Sequence, residues 1–188
     1  MKFIIILFLT MIFSTSLYAK KGRDIMVEVD QRNSGKAFIA LYTMKLINKK
    51  KVKERELLWW RRNDSPKTYN LIKIKAPKYL KGTGLLIHSD KRSENQSWLF
   101  LSKAAKKEPR KISSKNKDSR FLGSEFYYVD FEENGVDEFK HKYLREEKFK
   151  NWDCDVVESL SSKKDYPYSK IISYIDKVSK VVVQTQLY

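Results

Sequence analysis

The chain has 188 residues, with 39 lysine and arginine against 23 aspartate and glutamate residues and a formal net charge of +16 at pH 7. Its single cysteine, Cys154, excludes an intramolecular disulfide and a zinc site built from cysteines. The length is sufficient for one domain with a hydrophobic core.

The first 19 residues, MKFIIILFLTMIFSTSLYA, predict a secretory signal peptide. A single lysine precedes an apolar run from Phe3 to Phe13, which is shorter than the roughly 20 residues that span a bilayer. We expect cleavage after Ala19 and a soluble protein of one domain, residues 20–188, exported to the periplasm. An uncleaved signal anchor is the alternative.

Residues 20–188 carry 38 basic and 23 acidic side chains, a net charge of +15. Nucleic acid is the usual partner of so basic a protein, but an exported protein seldom meets it. Anionic lipid head groups are the better physical partner. A lysine-rich genome is an equally good explanation of the composition.

The spacing of Ile25, Val29 and Arg32 predicts a helix over 20–33, ended by Ser34 and Gly35. Turn residues then separate ten predicted strands: 37–47, 52–62, 68–75, 83–88, 96–101, 110–112, 139–149, 152–160, 169–176 and 180–188. This pattern predicts a mainly β fold with a few helices (α+β), built on one antiparallel sheet that is strongly curved or barrel-like.

Alternation within the first predicted strand places apolar residues on both of its faces. Trp59 and Trp60 likewise point to opposite sides of the next strand. One apolar face can pack on a helix, and the other can line a cavity or form a plain sandwich core. The pattern is equally consistent with a cavity and with a sandwich core.

The segment 102–120 is basic and poor in apolar residues, which predicts an exposed loop with one short strand. Its basic residues form either a positive patch or a solvated loop; they are Lys103, Lys106, Lys107, Arg110 and Lys111.

Patterns typical of catalysis are nearly absent from the sequence. Gly123 and Ser124 invite comparison with a nucleophile elbow, but no G-x-S-x-G occurs. His88 and His141 lie in predicted strands without metal-ligand spacing, so we expect no metal, cofactor or enzymatic activity. Carboxylates on both sides of Cys154 disfavour its thiolate, which predicts an inert buried cysteine.

The stretch FLGSEFYYVDF, residues 121–131, has aromatics that could stack on bases. Glu125, Asp130, Glu132 and Glu133 lie among or beside them and would repel phosphates. We therefore expect no nucleic-acid binding.

Several blocks in order resemble the outer-membrane lipoprotein-sorting protein family, a LolA-like group of bacterial periplasmic proteins. They are GRDIMVEVDQRNSG, PKYLKGTGLLI, SWLFLSKAAKKEPRKISS, FLGSEFYYVDF, WDCDVVES and YSKIISYID. The resemblance covers the chain from Gly22 to Tyr188. It implies an incomplete antiparallel β-barrel covered by helices, with an apolar interior that receives acyl chains.

The resemblance also implies a carrier that moves lipoproteins or other lipids across the periplasm toward the outer membrane. Its partners would be an inner-membrane export transporter, an outer-membrane acceptor and, transiently, a membrane surface. The alternative is an exported basic protein that recognises anionic envelope components or a protein partner and has no lipid cavity.

The family motifs map onto individual residues, for which structural roles are expected ahead of lipid contact. The structural or head-group positions are Lys81, Gly82, Thr83, Arg110, Gly123, Ser124 and Glu125. The candidate acyl contacts are Trp59, Leu85, Ile87, Trp98, Phe100, Phe126 and Tyr128. Glu125 stands where Asp is more usual, and the family domain usually continues for two or three strands beyond the QTQLY-like strand. We therefore expect a C-terminally shortened member.

Overall fold

The computed structural model describes residues 21–90, 93–102, 108–164 and 166–188. The predicted signal peptide and the predicted patch residues Lys103, Lys106 and Lys107 lie outside these ranges. The chain divides into two compact units, one formed by residues 34–133 and the other by the flanking parts of the chain.

A helix, α1, covers residues 21–31, close to the predicted range. Its apolar face buries Ile25, and Met26 and Val29 pack beside it against the second sheet. Gly22 lies so close to the strand Phe139–Phe149 that a Cβ atom would sit 2.6 Å from the backbone nitrogen of Tyr143. The first turn of α1 therefore depends on a residue without a side chain.

Unit 34–133 contains a six-stranded antiparallel sheet in the order β1-β2-β3-β4-β5-β6. Its strands are Ala37–Asn48, Lys51–Asp64, Lys67–Ala76, Gly84–Asp90, Ser93–Phe100 and Arg110–Ile112. Burial alternates along β3 and β4, as expected for strands with one face toward a core.

The core of this unit lies between one face of the sheet and the segment 113–133. That segment contains three short 3-10 turns, Ser114–Asn116, Phe121–Gly123 and Tyr128–Phe131. Phe121, 1 % exposed, contacts the rings of Tyr128 and Phe131 at centroid distances of 5.7 and 4.7 Å. The aromatics of FLGSEFYYVDF thus cover the sheet rather than extend it.

The other unit contains a four-stranded antiparallel sheet in the order β10-β9-β8-β7. Its strands are Phe139–Phe149, Trp152–Ser161, Ile171–Asp176 and Val182–Leu187, preceded by a 3-10 turn at Val136–Glu138. Residues 172–176 of β9 are all buried, so both faces of this sheet are covered. One cluster joins α1 to Tyr143, Val157 and Ile175.

The fold-class prediction is confirmed: the chain is mainly β with few helices, its sheets are antiparallel and neither closes on itself, as in an incomplete barrel. The prediction of one sheet is wrong, because the strands form two. The reason is the segment between β6 and β7, whose described residues form 3-10 turns in place of a strand. A hydrogen-bond ladder therefore does not run from β6 to β7.

Candidate functional site

The six-stranded sheet has apolar residues on both faces, as its sequence predicts. On the core face, Leu85 and Ile87 of β4 are fully buried, and Ile72 and Ile74 of β3 are nearly so. These side chains belong to one cluster that includes Phe121 and Tyr128 of the covering segment. This face is a filled core wherever the covering segment lies on it.

Trp59 occupies the β2 end of the same core face. Its indole Nε1 donates a hydrogen bond of 3.0 Å to Oδ1 of Asn70, which is 1 % exposed. The rings of Tyr42 and Phe131 flank it at centroid distances of 5.5 and 6.1 Å. Because Tyr42 is 45 % exposed, this corner is where the core face meets solvent.

The opposite face presents an apolar band of eight residues, which we call the outer band. Strand register places Ile39, Trp60, Leu71, Leu86 and Trp98 in one cross-strand row, and Leu41, Leu58 and Phe100 beside it. Ile39 and Leu41 are 68 % and 64 % exposed, and the other six are half-buried. An apolar row across five strands that is exposed at the β1 end and half-buried elsewhere is unusual unless something binds it.

Cationic side chains lie over the aromatic rings of this face. Lys73 Nζ is 5.9 Å from the Trp60 ring centroid, and Lys111 Nζ is 5.9 Å from that of Trp98. Such distances permit cation–π attraction. The outer band is therefore apolar with positive charge above it.

A row of rings in edge contact continues this face toward the start of β3. His88 contacts the rings of Tyr69 and Trp98, each at 4.9 Å, and the Arg62 guanidinium lies 5.0 Å from the Tyr69 ring. Burial, and secondarily the charge of Lys67, lowers the pKa of His88. The lowered pKa favours the neutral imidazole, which packs here as an aromatic ring.

The seven predicted acyl contacts do not lie on one surface. Trp59, Leu85, Ile87 and Tyr128 belong to the core face, whereas Trp98 and Phe100 belong to the outer band. Strand register places Leu86, not Leu85, opposite Trp98, so Trp98 and Leu85 lie on opposite faces of the sheet. Phe126 is 40 % exposed and lies 6.2 Å from the Phe131 ring, at the margin of the core.

The sequence model of a family described as "Uncharacterized protein"-like matches residues 66–188. An outer membrane lipoprotein-sorting protein domain from Vibrio parahaemolyticus is 29 % identical, with a TM-score of 0.78 over 90 % of this chain and 72 % of that chain. The chain belongs to the family that this sequence model describes, and its similarity to the Vibrio domain supports a LolA-like family.

Two other solved structures show the same fold at lower identity. A DUF1329 family protein from Desulfovibrio piger is 24 % identical, with a TM-score of 0.77 over 91 % of this chain and 73 % of that chain. A LolA superfamily protein from Nitrosomonas europaea is 16 % identical, with a TM-score of 0.56 over 89 % and 71 %. No curated protein matches the chain.

Two motifs by which the sequence resembles the LolA-like family form turns. In the K-G-T block, Gly82 has a φ of 84°, and its amide donates to the Ile74 carbonyl. Thr83 is buried and Lys81 exposed. Gly82 therefore forms a turn before β4, with a backbone angle that glycine adopts without strain.

The G-S-E-F block is a turn on the covering segment. Ser124, 2 % exposed, donates its hydroxyl hydrogen to the Phe121 carbonyl at 2.8 Å and accepts from the Phe126 amide at 3.2 Å. Gly123 has a φ of 71°, and Glu125 pairs with Arg120 at the surface. Ser124 is thus hydrogen-bonded within its own turn.

The remaining motif residues lie apart from the core. Arg110, from the R-K-I-S block, is exposed on β6 opposite Leu99, and its neighbour Lys111 reaches the outer band. These two are the only described part of the predicted positive patch.

A serine–histidine pair does form, but the sequence did not indicate which residues would meet. His141 Nδ1 lies 2.7 Å from Ser159 Oγ, and Nε2 lies 2.9 Å from the Val136 carbonyl oxygen. A carbonyl only accepts, so Nε2 carries the proton and Nδ1 accepts from the serine. Both side chains are buried within the sheet, so the pair bonds strands together and offers no exposed nucleophile.

The chemistry of Cys154 agrees with its prediction. It is 1 % exposed, and burial raises the pKa of its thiol, with Asp176, Asp153 and Asp155 adding to that shift. Among the described residues, no group of histidine, cysteine or carboxylate side chains could hold a metal ion. No helix in the described ranges is long and apolar enough to cross a membrane.

Sequence reasoning missed a buried polar cluster that fastens the covering segment to β5. Glu132 accepts from Ser97 Oγ at 2.6 Å and from Lys117 Nζ at 3.2 Å, while Lys117 also donates to the Asn95 carbonyl at 2.6 Å. These residues are separated by up to 37 positions in the chain. Nothing in their local sequence marks them as partners.

Proposed function

We propose that this protein carries acyl chains of lipoproteins or lipids through the periplasm toward the outer membrane, without catalysis. The observation that carries the proposal is the outer band. A folded protein normally buries such a row, and an acyl chain is a ligand that would cover it. The name of the Vibrio relative, a lipoprotein-sorting domain, supports the same cargo class.

The dimensions of the outer band suit a linear apolar ligand. Five strands about 4.8 Å apart make a row of about 19 Å, comparable to a long acyl chain. Each methylene moved from water onto an apolar surface contributes up to about 0.8 kcal/mol. Because Ile39 and Leu41 are more than half exposed, there is surface at the β1 end for a ligand to cover.

The cations above the band suit the polar end of such a ligand. Lys73 and Lys111 lie over Trp60 and Trp98, where they can meet an anionic head group while its chain lies along the row. The predicted signal peptide supports a periplasmic location. A donor transporter in the inner membrane and an acceptor in the outer membrane belong to this proposal as its partners.

The test is titration of the purified protein with a fluorescent long-chain fatty acid, together with native mass spectrometry for co-purified lipid. We expect saturable binding that Trp98→Ala and the double variant Ile39→Ser/Leu41→Ser weaken. Val178→Ser is the matched control, since Val178 is apolar, 90 % exposed and distant in sequence from the band. Absence of saturable binding, together with absence of co-purified lipid, refutes the carrier proposal.

The same titration distinguishes the two faces. If acyl chains instead enter at the core face, Phe126→Ala weakens binding and Ile39→Ser/Leu41→Ser does not, because Phe126 lies at the margin of that face. The two predicted contacts on the outer band, Trp98 and Phe100, would then be structural only.

A second candidate function is recognition of an anionic envelope polymer. The group of Arg62, Tyr69 and His88 favours it, because aromatic rings beside cations bind charged polymers as well as lipids. Polymer binding falls steeply with added salt, whereas acyl binding to an apolar row does not. Comparing the two affinities at low and high ionic strength separates these functions.

A further inference from the structure

The β1–β2 hairpin projects beyond the rest of its sheet. Strand β3 pairs with β2 only from Glu56 onward, so residues 51–55 of β2 and their β1 partners have no third strand beside them among the described residues. Four residue steps of about 3.3 Å give a two-stranded tip of about 13 Å.

This hairpin tip carries an exposed apolar pair. Ile47 and Val52 lie directly opposite each other in the register and are 72 % and 55 % exposed. The ion pair of Lys45 and Glu54 separates them from the outer band on the same face. The pair is therefore an apolar island of its own at the end of the sheet.

Positive charge surrounds the island. Residues 45–54, KLINKKKVKE, contain five lysines and one carboxylate, and that carboxylate, Glu54, already pairs with Lys45. Lys49 and Lys50 form the turn itself, with Lys51 next to it, and all three are exposed. Lys49 holds a φ of 52°, a conformation in which glycine or asparagine is the usual residue.

We propose that the hairpin tip is a docking element for an anionic bilayer surface. Ile47 and Val52 enter the head-group region, and the lysines at the turn bind lipid phosphates. Apolar side chains flanked by clustered lysines are what an anionic lipid interface recognises. The inference deepens the proposed carrier function and rests on it, because a lipid carrier must approach membranes.

The test is flotation of the chain from Lys20 onward with lipid vesicles, since residues 1–19 would bind lipid by themselves. We expect binding to phosphatidylglycerol–phosphatidylethanolamine vesicles and little to phosphatidylcholine alone. Ile47→Ser/Val52→Ser and, separately, Lys49→Asn/Lys50→Gln/Lys51→Gln each weaken it by at least about tenfold. In the variant Ile47→Trp, the added tryptophan emission shifts to the blue with anionic vesicles.

Matched controls separate docking from net charge. Lys140→Gln/Lys142→Gln/Lys148→Gln removes the same charge from exposed positions of β7, and Val178→Ser removes an exposed apolar side chain. Both are expected to bind vesicles as the parent protein does. Equal losses in the lysine control, or wild-type binding by both hairpin variants, overturn the proposal.

Two further results also decide the inference. If soluble polyphosphate binds as tightly as vesicles and Ile47→Ser/Val52→Ser leaves vesicle binding unchanged, the tip recognises a polymer instead. The acyl titration without vesicles keeps the two proposals apart. Hairpin variants that retain acyl binding but lose vesicle binding support docking, and vesicle binding without any acyl binding removes the carrier function alone.

Discussion

Lys117 Nζ lies 3.2 Å from Glu132 Oε2, and the two side chains are only 11 % and 4 % exposed. The pair joins the start and the end of the covering segment that lies on the six-stranded sheet. Ser97 and Asn95 of β5 complete its hydrogen bonds. The polar cluster thereby holds an irregular segment against an apolar core.

Breaking this pair should destabilise the protein strongly. Lys117→Met leaves the Glu132 carboxylate buried without its cation, which should lower the free energy of unfolding by about 3 kcal/mol. The double variant Lys117→Met/Glu132→Leu should cost less than the sum of its single changes. Urea unfolding followed by tryptophan fluorescence measures both.

The exposed pair of Arg120 and Glu125 provides the control for that experiment. Its side chains are 53 % and 85 % exposed, so Arg120→Gln should change the stability by no more than about 1 kcal/mol. Similar losses from Arg120→Gln and Lys117→Met would contradict the role given to burial.

Trp59→Phe should destabilise the protein through Asn70 rather than through lost apolar area. The change leaves Asn70 Oδ1 without its 3.0 Å partner in a site that is 1 % exposed, at an expected cost of about 1–3 kcal/mol. Adding Asn70→Leu should recover part of that loss, since no amide then needs a partner. Thermal unfolding of the single and double variants is the measurement; an equal or larger loss in the double variant contradicts the assignment.

Gly22→Ala tests the contact between α1 and β7. Helix propensity alone would make alanine more stable than glycine by about 1 kcal/mol. The added Cβ would instead lie 2.6 Å from Tyr143 N and 2.8 Å from Lys142 C, both backbone atoms. We therefore expect destabilisation of about 1–3 kcal/mol. In Gly135→Ala the nearest atom is the Glu138 carboxylate at 3.7 Å, and its stability should stay near that of the parent.

Stability should fall on mild acidification because of His141. Burial lowers the pKa of His141, so between its ordinary value of 6.5 and that lower value the unfolded chain binds a proton that the folded one does not. The contribution is complete above pH 6.5 and declines as the pH falls below it. His88, with a lowered pKa, contributes in the same direction.

Urea titrations of His141→Gln and the parent protein between pH 7.5 and 5.5 measure this effect. This pH range lies above the titration of Glu94 and Asp176. Hydrogen bonds from Ser114 and Ser179 lower the pKa values of these two carboxyl groups below the ordinary 4.5 and 3.8. His141→Gln should flatten the profile. An unchanged slope would show that His141 protonates equally in both states.

Cys154 should serve as a reporter of unfolding. Because its thiol is 1 % exposed and its pKa is raised by burial, a thiol reagent such as Ellman's reagent should react slowly with the native protein. In denaturant the reaction should be immediate and reach one thiol per chain, the number in the sequence. Fast reaction of the native protein would contradict the burial of β8.

Local patterns predicted the elements of this fold well. All ten strands and the helix occur close to their predicted ranges, because period-two and period-3.6 burial and turn residues act within a few positions of the chain. The turn at Gly82 and the hydrogen-bonded hydroxyl of Ser124 follow from equally local chemistry.

The candidate site was less predictable, since it depends on which strands pair and in what register. Trp98 and Leu85 were both predicted to contact acyl chains. In the observed register Trp98 lies opposite Leu86, the neighbour of Leu85, and neighbouring side chains in a strand point to opposite faces. The cluster of Lys117 and Glu132 and the pair of His141 and Ser159 join residues distant in the chain. Single-sequence patterns do not carry that information.

The sequence by itself predicted a signal peptide, and it determined the excess of positive charge, the antiparallel β character and the two-sided apolar strands. Only the tertiary structure decided that the strands form two sheets and that FLGSEFYYVDF covers one face of the first. It also decided that the other face keeps an apolar row partly open. The physical reason is that the hydrophobic effect is non-directional: an apolar side chain favours burial against any apolar partner. Which faces are covered therefore depends on how the sheets assemble.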